Sequence, residues 1–282
     1  MRWLTLLLFT ASAFSQAPQR IISTSPSITE TLYSLGLGDR VVAVSTYCHY
    51  PVEAIKKPKV GSYLNPNVEA ILKLSPDLVI LQKIPNQVED NLRRLGAPIL
   101  VVDHGDLDST LTSIRTIGKA TGTSASANSL AISIRKQLDG IRARTSALPR
   151  RTLLFIVGRT PGRLEGIVAV GKGSYLNNLM EIAGGRNVLA DSVAPYPKIS
   201  LETIIGRDPD VIVDMGDMAN TTAVTEEHRK SVVALWHGQT SLKSVKNGSV
   251  FAVASDIFVV PGPRMVDAAL AFARMLHPEA RF

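Results

Sequence analysis

Two glutamates open the chemical reading of this chain. Glu69 and Glu202 stand at matching positions in NVEAILKLSPDLVI (residues 67 to 80) and SLETIIGRDPDVIV (residues 200 to 213), two segments aligned at a constant offset. An acidic side chain in the first turn of a helix complements the helix dipole. Two of them on two similar lobes would also suit a partner whose two identical subunits each present a basic pocket.

Other reactive groups point away from catalysis. The five histidines, His49, His104, His228, His237 and His277, show no pair at metal-ligand spacing, which argues against a dedicated zinc or manganese site. Cys48 beside His49 could offer a soft or nitrogen ligand to a bound metal centre, although a lone cysteine reads better as a small core residue. No G-x-S-x-G elbow, no H-E-x-x-H and no paired carboxylates flanked by histidine occur. Gly166 to Lys172 fits G-x-x-x-x-G-K, yet Gly173 replaces the magnesium-binding hydroxyl and the intervening Ile-Val-Ala-Val reads as a strand.

The elements that must carry these groups repeat. Each copy of the first unit has Asn or Ser as a cap, a short apolar helix and a stop at Pro-Asp that turns into a strand. A weaker second match sets residues 27 to 51 against 174 to 197: helix, glycine stop, strand, then Tyr50-Pro51 and Tyr196-Pro197. Strand alternating with helix is the pattern of a parallel sheet covered on both faces. Between the halves, Ala127, Leu130, Ala131, Ile134, Leu138 and Ile141 recur at helical spacing. The expected organisation is a leader over residues 1–17, an N-terminal lobe over 18–123, an interlobe helix over 124–148 and a C-terminal lobe over 149–282. Fold class is α/β, with two Rossmann-like lobes of parallel strands and a crevice between them.

Arg2, the apolar run from Trp3 and the small residues around Ala13 and Ser15 read as an export signal too short to span a bilayer. The expected location is therefore the periplasm. Cys48 lies too far from the leader to carry a lipid and has no cysteine to pair with, so the fold must rest on packing. A composition of 45% hydrophobic and 20% charged residues is that of a soluble globular protein. The net charge of +7 is spread over scattered pairs such as Lys56-Lys57 and Arg150-Arg151, without interleaved aromatics, so no nucleic-acid partner is expected.

Ser-Pro-Ser-Ile-Thr-Glu after the first strand, Tyr50-Pro51, Val60-Gly61-x4-Pro66-Asn67-x-Glu69, Pro76-Asp77-Leu78-Val79-Ile80, the mid-chain helix and Gly262-Pro263-Arg264 together resemble one family. It is that of the substrate-binding proteins of ABC importers for cobalamin, haem and ferric siderophores. The resemblance spans essentially the whole chain after the leader. It implies a monomeric, non-enzymatic protein without a resident cofactor, which binds its ligand between two lobes and delivers it to a homodimeric permease with its ATPase. It also implies that Glu69 and Glu202 engage arginines of that permease.

Cobalamin binders are the nearest branch, through Ser45, Tyr47 and Tyr50-Pro51. By that resemblance Tyr47, Tyr63 and Tyr196 would lie against a corrinoid, cobalamin or cobinamide, with Tyr50 nearby and Asp256 and Arg264 at its rim. Aromatic faces suit a broad, partly apolar disc. Gln82, Tyr63 and Tyr196 replace tryptophans of the branch, which implies a smaller, more polar site. Arg159 and Arg163 could instead receive the carboxylates of haem or the anionic groups of a siderophore. An exported two-lobed enzyme such as a chelatase is the competing class.

Overall fold

The computed structural model describes residues 17–85, 87–216 and 225–282, with the backbone alone at residue 228. The expected leader lies, but for its last residue, outside them. Its strands form two sheets. β1 (Ile21–Ser23), β2 (Val41–Val44), β3 (Leu78–Gln82) and β4 (Ile99–Val102) make the first, in the order β2-β1-β3-β4. Every pairing in it is parallel, with Ile21 between Val41 and Leu78, and Val79 beside Ile99.

The second sheet holds β5 (Arg151–Gly158), β6 (Ile167–Ala169), β7 (Gly185–Asn187), β8 (Lys198–Ile199), β9 (Val211–Asp214) and β10 (Val250–Ala252). Its order is β10-β9-β5-β6-β8, with β7 also on β5. Here the expectation of parallel strands needs correction, because β6 runs antiparallel to β5 and β8 antiparallel to β6. The link from β5 to β6 is a short turn closed by Thr160 N–H to Glu165 O at 2.9 Å, and a parallel return would need a long crossover. β6 contains Ile167 to Ala169, so the G-x-x-x-x-G-K segment is a strand.

The repeat is visible in three dimensions. Helix Val68–Lys73 feeds β3 as helix Leu201–Arg207 feeds β9. Asn67 caps the first through the N–H of Ala70 at 2.9 Å, and Ser200 caps the second through that of Thr203 at 3.3 Å. Ser75 and Asp208, each preceding the proline, share a left-handed backbone with φ of 46° and 41°. Ile71 and Ile204 are buried at matching positions under their sheets. The second match holds as well: β2 and β7 each follow a helix and pair parallel to the first strand of their lobe.

Between the sheets runs helix Leu107–Thr121, then helix Ser124–Thr145. The turn joining them is tight because Gly122 takes φ 76° and because a Cβ on Gly118 would fall 2.2 Å from the Ala127 Cβ. Ala127, Ala131, Ile134, Leu138 and Ile141 are buried along one face of the second helix, with Leu130 half-buried beside them. They belong to a single apolar cluster that continues from Ile21 and Val44 in the first lobe to Phe155, Phe258 and Phe272 in the second. One core cluster thus runs through both lobes, beside a smaller one within each. Among the described residues no helix is long and apolar enough to cross a membrane.

Candidate functional site

The first lobe contributes two loops that follow β2. Thr46 N–H donates to Gly61 O at 2.9 Å, which ties the loop carrying Tyr47 and Tyr50 to the loop carrying Tyr63. Gly61 has φ 90°, and a Cβ there would lie 2.7 Å from Asn65 O, so only glycine permits the turn that projects Tyr63. Tyr47, 53% exposed, meets Tyr63 edge to face with ring centroids 6.1 Å apart. Tyr63 also lines a shallow depression with Thr24, Leu81, Gln82 and Glu89, which places Gln82 beside it at the carboxyl end of β3.

Cys48 turns the other way. Its Sγ lies 3.1 Å from Thr29 Oγ1 and 3.2 Å from Ser45 Oγ, and burial raises its thiol pKa. It is a core residue, while His49 is exposed. His104 is buried, which pushes its imidazole down to about 4, and His277, capping the carboxyl end of the C-terminal helix, is buried as well. Neither belongs to a group of ligands that could hold a metal ion among the described residues.

The second lobe contributes Tyr196. Its loop is laid on the end of β6 by Ala169 N–H to Pro197 O at 3.0 Å and Gly171 N–H to Pro195 O at 2.8 Å. Tyr196 keeps 43% of its surface open to solvent. Desolvation of its hydroxyl, helped by the charge of the Tyr63 phenolate form and opposed by Ser174, pushes its pKa up to about 12. Tyr63 and Tyr196 thus stand on loops of different lobes.

At the seam between lobes lies a charged cluster. Arg264 donates from Nε to Glu30 Oε2 at 3.0 Å and from Nη2 to Glu30 Oε1, and from Nη1 and Nη2 to Asp256 at 3.0 and 2.8 Å. Its guanidinium also lies 3.9 Å from the centre of the Tyr50 ring. Burial opposes the charge of Arg264, but hydrogen bonds and charges from Glu30 and Asp256 prevail and raise its pKa. Burial raises the pKa of Glu30, with Arg264 lowering it and Asp256 raising it. Glu30 was not among the residues expected at the site. Its mark in the sequence is that it closes the Ser-Pro-Ser-Ile-Thr-Glu motif; two residues from both Ile28 and Leu32, it lies on the other side of the helix from them, where no apolar periodicity points to it.

Arg159 is not part of this surface. Its side chain is only 2% exposed and donates to Asp214 at 2.9 Å, an acid that also accepts from Trp236 Nε1 at 2.8 Å. Its Nη1 donates to Thr160 O at 3.3 Å and Arg163 O at 3.2 Å, so the expected receiver of ligand carboxylates is buried and engaged in shaping its own hairpin. Arg163 is exposed and lies 3.7 Å from Glu165. Glu69 and Glu202 are both exposed in the first turns of their helices, and the Ser200 hydroxyl lowers the pKa of Glu202.

A family model for periplasmic binding proteins matches residues 21–257. The chain belongs to that family. It is a solute-binding protein and not an enzyme. This binding protein is 33% identical to a vitamin B12-binding protein of Yersinia pestis, over 90% of its own length and 85% of that relative. The crystal structure of a periplasmic vitamin B12 binding protein of Vibrio cholerae superposes with a TM-score of 0.77 at 28% identity, covering 93% of this chain and 98% of that one. A periplasmic heme binding protein of Vibrio cholerae shares the fold at a TM-score of 0.78 and 22% identity, covering 92% and 99%.

Proposed function

We propose that this binding protein captures a corrinoid, cobalamin or cobinamide, in the periplasm and hands it to an ABC permease with its ATPase. The observation that carries the reading is the set of tyrosines: Tyr47 and Tyr63 in edge-to-face contact on one lobe, and the half-exposed Tyr196 on the loop at the end of β6 in the other. Flat apolar faces on both sides suit a broad ring system. The likeness to vitamin B12-binding proteins over nearly the whole chain supports it.

Charge favours a corrinoid over haem or a ferric siderophore. Arg264 is held by two carboxylates and Arg159 is buried against Asp214, which leaves Arg163, exposed beside Glu165, as the one of the three still presented to solvent. A site with surplus carboxylate suits a rim of amide N–H donors. Glu69 and Glu202 then serve as the docking acids for a homodimeric permease.

Absorbance of the purified protein, followed by titration of cobalamin, cobinamide, hemin and a ferric siderophore, tests this. Corrinoids should bind most tightly. Tyr63→Ala and Tyr196→Ala should each weaken that binding by roughly 3- to 10-fold, since a well-placed aromatic contact contributes about 0.5 to 1.5 kcal/mol. A tight ligand that neither substitution weakens would contradict the placement, and a Soret band in the purified protein would favour haem.

A further inference from the structure

His104 is a buried ionisable group that the ligand site does not use. It is 6% exposed, and neither ring nitrogen has a hydrogen-bond partner among the described residues. An imidazolium there would add a charge and a second N–H donor, which burial penalises far more than it penalises the neutral ring. The surroundings make that penalty a property of the contact between lobes. His104 follows β4, and the residues just beyond it hold the first lobe to helix Tyr175–Ile182 of the second. Tyr175 N–H donates to Gly105 O at 3.0 Å, and Leu107 N–H donates to Asn178 Oδ1 at 3.2 Å. Leu107 and Tyr175 are buried in the cluster that runs through both lobes.

The ionisable groups around the ring are committed elsewhere. Asp103, which favours the charged imidazole, accepts from Gly105 N–H at 3.0 Å and lies 3.6 Å from Lys83 Nζ. On helix Leu107–Thr121 and its cap, Asp106 accepts from Ser109 N–H at 2.8 Å, Asp108 pairs with Arg135, and Arg115 turns back to Leu111 O. Across the seam Tyr175 donates its hydroxyl to Phe258 O at 2.9 Å, and Glu181 accepts from Asn177 at 3.0 Å. We propose that His104 is a proton-operated catch on the lobe seam: neutral, it lets its loop close on helix Tyr175–Ile182, and on gaining a proton it turns to water and parts the two seam hydrogen bonds. The apolar cluster keeps the lobes together, so the change is local. Burial holds the closed-form imidazole down to about 4 against an ordinary 6.5, so closure is at full strength above 6.5 and weakens as pH falls from there to about 4. The consequence for ligand rests on the corrinoid reading above: Ser174 caps helix Tyr175–Ile182 and also hydrogen-bonds Tyr196, so a loosened seam reaches the aromatic face of the second lobe.

Hydrogen exchange on the full-length protein tests this at the two amides that cross the seam. Corrected for intrinsic rates, the N–H groups of Tyr175 and Leu107 should lose protection by about 10- to 100-fold between about pH 7 and pH 4.5. In His104→Leu, which has no proton to gain, that loss should disappear, and His104→Phe answers the same question if the first variant does not fold. His277→Leu, which removes the other buried imidazole without a hydrogen-bond partner, at the end of the C-terminal helix, should leave the loss in place. Dicyanocobinamide affinity should fall several-fold over the same range in the wild type and stay level in His104→Leu. Wild-type amides equally protected at both pH values would overturn the catch without any variant, and so would an unchanged loss in the His104 variants. Seam amides that respond in a protein that binds no cobinamide at neutral pH would sink the corrinoid reading and leave the catch standing.

Discussion

Asp77 and Asp210, at matching positions of the two repeat units, each clamp the first residues of a neighbouring strand. Asp77 accepts from the N–H groups of Gln19 and Arg20 at 2.7 and 2.8 Å, and Asp210 Oδ2 accepts from Thr152 N–H and Oγ1 at 2.8 and 2.7 Å. The clamps differ in exposure. Asp77 works in solvent, while the Asp210 contacts are partly buried, so the groups it would leave behind are harder to rehydrate. Asp210→Ala should cost about 1 to 3 kcal/mol and Asp77→Ala about 0.5 to 1.5 kcal/mol in urea unfolding. Equal losses, or a larger one at Asp77, would contradict this account of the repeat.

Gly171 fixes the loop of Tyr196. A Cβ at this position would sit 2.2 Å from Ala194 O and 2.9 Å from Pro197 Cδ, so Gly171→Ala must push the loop off β6. Corrinoid affinity should fall by about as much as in Tyr196→Ala, and adding Gly171→Ala to Tyr196→Ala should cost little more. Gly140→Ala, which meets nothing within 4 Å, is the control. Additive losses in the double variant would show that Gly171 does not act through Tyr196.

Glu69 and Glu202 are exposed in the first turns of their helices, so Glu69→Gln with Glu202→Gln should leave melting temperature and corrinoid affinity almost unchanged. Stimulation of the permease ATPase in reconstituted vesicles should disappear. The carboxyl of Glu202 is held below its usual range by Ser200. A carboxylate with a lowered folded pKa keeps its charge, and its contribution, above the unfolded pKa and loses them only as pH falls through the lower folded value. Stimulation in the wild type should therefore persist as pH drops from neutral toward the ordinary carboxylate range. Normal uptake by the double variant would leave these acids with the helix dipole alone.

The shared core sets the expected motion. Helix Ser124–Thr145 buries Ala131, Ile134 and Leu138 in the same cluster as Val44 and Phe272, so opening the lobes widely would expose packed apolar surface. Small-angle scattering with and without corrinoid should give nearly equal radii of gyration, and a marked drop on binding would count against a rigid pair of lobes.

Much of the architecture was legible because it is written in local signals. Caps at Asn67 and Ser200, the Pro-Asp stops and the apolar runs of β1, β3, β5 and β9 act over a few residues and repeat. The antiparallel β6 and β8 were not, since strand direction depends on loop closure at Thr160 and Glu165 and not on the pattern of the strands themselves. At the site, the loop tyrosines were expected from the resemblance to the family, and the partners of the arginines had no signal in the sequence. Arg159 and Arg264 look alike in sequence; pairing with Asp214 buries one, and pairing with Glu30, 234 positions away, ties the other to the opposite lobe.

The central claim is that a corrinoid lies between Tyr63 and Tyr196. Crystals grown with cobinamide and measured at the cobalt absorption edge would locate the metal directly by its anomalous signal. The account predicts a single cobalt peak between the lobes, with the corrin in van der Waals contact, at about 4 Å, with the rings of Tyr63 and Tyr196. A peak outside the space between the lobes, or a corrin touching neither ring, would contradict it.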